Sequence, residues 1–155
     1  MNALCTLAKQ YAPVAGRILI ALLFLMSGYG KIGAFEATSA TMAAKGMPAS
    51  DVLLVCAIVL ELVGAALLVI GWKTEWAALA LIVFLIPATL YFHNYWSYPA
   101  EQVRNQRNHF MKNVTILGAL VFIVGMGAGP LSVDSRRRRD ASGASDALEV
   151  PSRRR

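Results

Sequence analysis

Apolar residues fall into four long blocks along the chain, each nearly free of charge and separated from the next by a shorter polar stretch. The first block runs from about Pro13 to Gly30, the second from Val52 to Gly71, the third from Trp76 to about His93 and the fourth from Phe110 to Ala128. Each is close to the roughly 20 residues that an α-helix needs to cross a hydrocarbon core. The pattern predicts an all-α integral membrane protein, a four-transmembrane-helix bundle over residues 1–133. Pro13 suits a helix start, and Gly71 followed by Trp72 suits a stop at headgroup level. Pro87 lies inside the third span, where it should kink the helix or free a carbonyl.

The connections differ in character. Lys31 to Asp51 reads as a moderately polar loop, with Ser50 or Asp51 able to cap the next helix. Trp72 to Glu75 is so short that spans two and three must form an antiparallel hairpin. Asn94 to His109 is the longest strongly polar connection, and the Arg-, Ser-, Ala- and Asp-rich stretch 134–155 reads as a disordered basic tail. Lys9 and Arg17 precede the first apolar run as in a signal peptide. The stretch to Lys31 lacks a clear small-residue cleavage site, and Arg17 lies too deep, so an uncleaved span is expected.

Composition agrees with this reading: 57% of residues are hydrophobic and 15% charged, too apolar for an ordinary soluble domain. The net charge of +6 is divided evenly between residues 1–133 and the tail. With four spans, the N-terminus, the short hairpin turn and the tail share one side. They carry Lys9, Arg17, Lys73 and seven tail arginines, against Lys31, Lys45, Arg104, Arg107 and Lys112 on the other. By the excess of basic residues both termini are expected in the cytoplasm, and the tail arginines decide it. Cys5 and Cys56 form no C-x-x-C and are expected on opposite sides of the membrane as unpaired thiols.

Glu61 stands alone as a charge inside the second span. A carboxylate at mid-membrane costs on the order of 3 kcal/mol on insertion scales, so it should face the bundle interior with a partner. Ala57, Gly64 and Ala65 share its helical face. On the first span Arg17, Ala21, Phe24, Gly28 and Lys31 recur at helical spacing on one face. If that span begins near Pro13, Arg17 lies about 6–7 Å from the midplane by helix rise. Arg17 is then the first choice of partner for Glu61, ahead of Lys31 at the rim. Two readings of the Arg17–Glu61 pair stand: a structural clamp, or a proton- or ligand-responsive carboxylate in a cavity.

A second polar group gathers at the other rim. Lys31, His93, His109, Lys112 and Asn113 form a candidate mouth above the charged pair, with Tyr91, Tyr95 and Trp96 as an interfacial belt. Two histidines without a Cys or carboxylate cluster make no metal site, and no haem ligands can be placed. Gly125 and Gly129 form G-x-x-x-G, a packing site within the bundle or between the protomers of a homodimer. Arg136 to Arg139, just after the last span, is expected to engage anionic lipid headgroups rather than nucleic acid.

Three segments together carry a family resemblance. R-I-L-I-A-L-L-F-L-M-S-G-Y-G-K (Arg17 to Lys31), E-L-V-G-A-A-L-L-V-I-G-W-K-T (Glu61 to Thr74) and H-F-M-K-N-V-T-I-L-G-A-L (His109 to Leu120) resemble, in order and spacing, the DoxX family of small membrane proteins. The resemblance covers about residues 12–130. It implies a bacterial inner-membrane bundle with cytoplasmic termini and marks Arg17, Gly28, Lys31, Glu61, Gly64, Lys112 and Asn113. It also implies a membrane subunit of a redox system, a component of an oxidoreductase complex that contacts quinone while a partner subunit supplies the electron carrier. A non-catalytic scaffold or assembly factor, and a small-molecule or lipid-binding permease-like bundle, are the alternatives.

Overall fold

A computed structural model describes residues 2–149. They form α1 (Asn2–Gly33), α2 (Phe35–Ala44), α3 (Ser50–Ile70), α4 (Thr74–Phe92), a 3-10 turn (Tyr95–Ser97), α5 (Ala100–Met126) and α6 (Val133–Glu149), with no strand among the described residues. Four stretches are long and apolar enough to cross a membrane: Ala3–Gly33, Ser50–Ile70, Thr74–Ser97 and Ala100–Met126. The predicted four-span, all-α bundle is therefore the observed one. α1 lies against α3, α3 against α4 and α4 against α5, with α1 and α5 also touching.

The elements extend further than hydropathy alone suggests. α1 begins at Asn2 and passes through Pro13, and α5 begins at Ala100 rather than near Phe110. The first connection, expected as a loop, contains α2, with Glu36 in its first turn and Gly46 at φ 78 just beyond its end, a left-handed position that glycine fills without strain. Ser50 and Asp51 do not cap α3. They instead hydrogen-bond Ser39 of α2, which ties that helix across the end of the bundle. α2 and the 3-10 turn mark one end, called here the cap end. The α3–α4 turn, the last loop and α6 mark the other, the tail end.

Packing follows the rule for helices in lipid, where association rests on close van der Waals contact rather than on the hydrophobic effect. Ala21, Phe24, Ala65, Leu68, Ala77, Ala78, Leu81, Ile116 and Leu120 form the central cluster. The small residues set the spacing: a Cβ on Gly64 would lie 3.0 Å from the Leu81 side chain, and one on Gly28 2.9 Å from Leu62. Met42, Leu54 and Ile58 form a second cluster beneath α2. The outward faces are apolar, with Met26, Val59, Val83 and Phe122 all exposed, as a hydrocarbon surrounding requires. The proposed G-x-x-x-G does not hold as a helical motif: α5 ends at Met126, Gly125 meets nothing within 4 Å, and Gly129 packs from the following loop onto Pro13.

The tail also departs from expectation. The composition predicts disorder from Asp134, but the chain is helical over Val133–Glu149; residues 150–155 lie outside the described residues. Ser132 Oγ accepts the Ser135 N–H at 3.1 Å, a helix cap. Asp134 then clasps α6 to the α3–α4 turn, its carboxylate accepting from the Lys73 N–H at 2.8 Å, the Thr74 N–H at 3.0 Å and the Thr74 hydroxyl at 2.9 Å. Its own N–H donates to the Gly71 carbonyl at 2.9 Å. Arg138 pairs with Glu75, and Arg137 lies over the Trp72 ring.

Burial alone would raise the Asp134 pKa, but the Thr74 and Lys73 hydrogen bonds and the nearby Arg138 charge outweigh it and hold the group below its ordinary value. A carboxyl with a depressed folded pKa contributes stability that is full above its unfolded value, about pH 4, and is lost as pH falls through the folded one. Asp134→Ala is expected to cost about 1 kcal/mol at neutral pH, as for loss of a helix cap, and to flatten the acid dependence below about pH 4. Thermal unfolding in detergent across that range measures both.

Candidate functional site

α1 and α3 run antiparallel, and their axial offset decides which charges meet. Arg17 is level with the end of α3: its Nη1 donates to the Leu68 carbonyl at 3.2 Å and its Nη2 to the Leu131 carbonyl at 2.8 Å. Gly71, at φ 72, leaves room for this guanidinium, since a Cβ there would stand 1.9 Å from Nη1. Arg17 is thus a buried tie between α3 and the last loop, and the expected Arg17–Glu61 pair does not form. The physical reason is register. The part of α1 facing the middle of α3 lies near Gly28, one to two turns beyond the midpoint inferred from a start at Pro13.

The partner of Glu61 is Lys31. Lys31 Nζ lies 2.9 Å from both Oε1 and Oε2 of Glu61 and 2.6 Å from Ser27 Oγ. Ser27 in turn donates to Glu61 Oε1 at 3.1 Å. The three residues form a closed knot in which an ammonium with three donors meets three acceptors. Glu61 is only 3% exposed and Lys31 25%. Lys31 reaches inward from the last turn of α1, as long cationic side chains do from helix ends. Ser27 was not anticipated. Its signal was its position four residues before Lys31, on the face that carries Phe24, Gly28 and Lys31.

Above this knot a cavity of about 700 Å³ opens toward the cap end among α1, α3, α4 and α5. It gathers five of the predicted residues: Lys31, Glu61, His93, Lys112 and Asn113 all line it. Asn113 is fixed by donating to Thr89 Oγ1 at 3.0 Å, and Thr89 donates back to the Leu85 carbonyl. His93 Nδ1 pairs with Gln106 at 2.9 Å. His109 stacks on the His93 ring at 5.0 Å between centroids and so buttresses the wall without being part of it. Arg17 takes no part in the cavity. The rest of the lining is mainly apolar, from Phe24 on α1 to Phe84 on α4.

Other expected features are placed as follows. Tyr95, Trp96 and Phe110 form an edge-to-face cluster at the cap end, while Tyr91 lines the cavity. Cys5 and Cys56 are both free and exposed, Cys56 at the cavity and Cys5 in the first turns of α1 at the tail end. Among the described residues no group of three or more His, Cys, Asp or Glu is arranged to hold a metal ion.

The DoxX family profile matches residues 12–94, more than half of the chain. The chain belongs to the DoxX family. DoxX-family likeness extends to two proteins of Escherichia coli K12 named inner membrane proteins: YphA, 32% identical over 83% of this chain and 92% of the relative, and YqjF, 33% identical over 81% and 92%. The yeast ER-derived vesicles protein ERV29 is 29% identical over 84% of this chain but only 35% of its own length. No solved structure matches. The DoxX-family chain thus has its knot of Ser27, Lys31 and Glu61, and α3 and α4, inside the matched segment.

Breaking the knot from its two sides should not be equivalent. Lys31→Met strands a carboxylate that is almost wholly buried, and an uncompensated buried charge costs about 3–5 kcal/mol. Glu61→Gln leaves a more exposed ammonium still facing a hydrogen-bonding amide and should cost well under half as much. The double variant should recover most of the Lys31→Met loss, read as a coupling energy from unfolding in detergent.

Proposed function

We propose that this DoxX-family protein is a ligand-binding bundle of the bacterial inner membrane, whose cavity takes an amphipathic small molecule from the surrounding lipid. The observation that carries this reading is the convergence of Lys31, Glu61, His93, Lys112 and Asn113 on one otherwise apolar cavity of about 700 Å³. A volume between about 300 and 1,000 Å³, mostly apolar walls and a few placed polar groups are the marks of a small-molecule site. The placement in the inner membrane rests on the four spans and on the bacterial relatives named for that membrane.

A more specific reading is supported by one further feature. Phe24, Phe84 and Phe92 line the cavity beside Lys112 and Asn113, and aromatic walls with nearby donors suit a flat ring bearing carbonyl oxygens. On that reading the molecule is a quinone and the protein is the membrane subunit of a redox system, with a partner subunit supplying the electron carrier. The Arg-rich α6, lying at the tail end next to Trp72, suits contact with anionic headgroups, and the basic excess at that end supports cytoplasmic termini.

Purification in mild detergent followed by solvent extraction and mass spectrometry tests the binding reading. The native protein is expected to retain one amphiphile in stoichiometric amount, and Ala57→Phe, which fills the cavity from α3, is expected to fold and to lose it. An extract identical to bulk lipid in both proteins would sink the reading; a retained quinone together with a co-purifying flavin, haem or metal subunit would establish the redox one. Cys5 gives the topology: an impermeant maleimide should label it in inside-out vesicles and not in spheroplasts, and the reverse pattern would invert the orientation.

A further inference from the structure

The charges lining the cavity do not balance. Lys31 has all three of its donors engaged by Ser27 and Glu61, so the knot is electrically closed and has no donor left for a ligand. Glu61 is the one carboxylate among the lining residues, and it is already spent. Lys112, one turn into the membrane from His109, lines the same cavity and has no carboxylate partner among the described residues. One cation is therefore left over, exposed at the cap-end mouth of an apolar chamber, where an ammonium without a carboxylate partner favours an anion.

The chamber also has an open side. In their tail-end halves α3 and α4 are in tight contact, through Gly64 against Leu81 and through Ala65, Ala77 and Ala78. In their cap-end halves both helices line the cavity with residues that also face lipid, Cys56 on α3 and Val83, Pro87 and Tyr91 on α4. Pro87 has no N–H to return to the Val83 carbonyl, which leaves that edge of α4 without one helical hydrogen bond. A volume of about 700 Å³ with an open side suits one flexible chain.

We propose that the ligand is a single-chain amphiphile with an anionic head, such as a long-chain carboxylate, whose head pairs with Lys112 while its chain lies along the opening between α3 and α4. This rests on the binding reading above and narrows it. The test is photolabelling of the full chain in phosphatidylcholine nanodiscs with a diazirine-bearing palmitic acid, alongside the matching diazirine-bearing fatty alcohol. The acid should label α3 near Cys56 and α4 between Val83 and Ala88, about tenfold or more above the alcohol. Lys112→Gln should lower the acid's labelling by a similar factor, and Lys112→Arg should retain it. Equal labelling of the cavity by acid and alcohol, or labelling unmoved by Lys112→Gln, would overturn the anionic head and leave the cavity reading standing. Labelling no stronger in the cavity than at the lipid-facing Val121 and Phe122 of α5 would overturn both.

Discussion

An ionised carboxylate in hydrocarbon must be met by a cation and by hydrogen-bond donors, and the Ser27–Lys31–Glu61 knot is how this chain meets that demand. Its geometry constrains much else. Because Lys31 reaches Glu61 from the last turn of α1, α1 must pass α3 with Gly28 opposite Leu62, so close that a Cβ there would push the Leu62 side chain aside. The same offset carries Arg17 beyond the middle of α3 to its end, where the Leu68 and Leu131 carbonyls receive it. One pairing near mid-membrane and one tie at the tail end thus fix the axial position of α1 at two heights.

Much of this was legible in the residues. Helical spacing placed Arg17, Ala21, Phe24, Gly28 and Lys31 on one face and Ala57, Glu61, Gly64 and Ala65 on another, and these faces do meet. Spacing reports the angle of a side chain about the helix axis; it carries no information on the height of one helix relative to its neighbour. Hydropathy gave that height only approximately, because α1 continues as helix well outside its apolar block. Arg17 and Lys31 share a face and differ in height, and height makes Lys31 the partner of Glu61. α6 is hard to read from the residues for a different reason. Its composition is that of a soluble, solvated segment, and it is ordered by anchors at one end, Ser132 as cap and Asp134 as clasp. Ser132 is of a residue type that caps helices, but the composition of the segment after it reads as disorder regardless of that one side chain. The grouping of Lys31, His93, Lys112 and Asn113 was readable from span order alone, since all four sit near the same rim.

The two ends of the bundle are built on different principles. At the tail end the backbone is pinned by charge: a guanidinium on two carbonyls, and a carboxylate on two amides and a hydroxyl. At the cap end α2 is held by Ser39 against Ser50 and Asp51 and by the Met42, Leu54 and Ile58 contacts, and the helices beneath it part to leave the cavity. A bundle locked at one end and hollow at the other can change occupancy without changing topology.

The family profile ends at residue 94, before α5 begins. The knot, the hairpin of α3 and α4 and the roof made by α2 all come from residues before α5. Lys112, Asn113 and Ile116, the remaining wall of the cavity, come from α5. α5 packs mainly on α4 and takes no part in the knot that sets the register of the others. The chamber is in this sense a socket closed by a separate panel: part of its charge and shape comes from a helix that carries none of the residues of the knot holding the socket together.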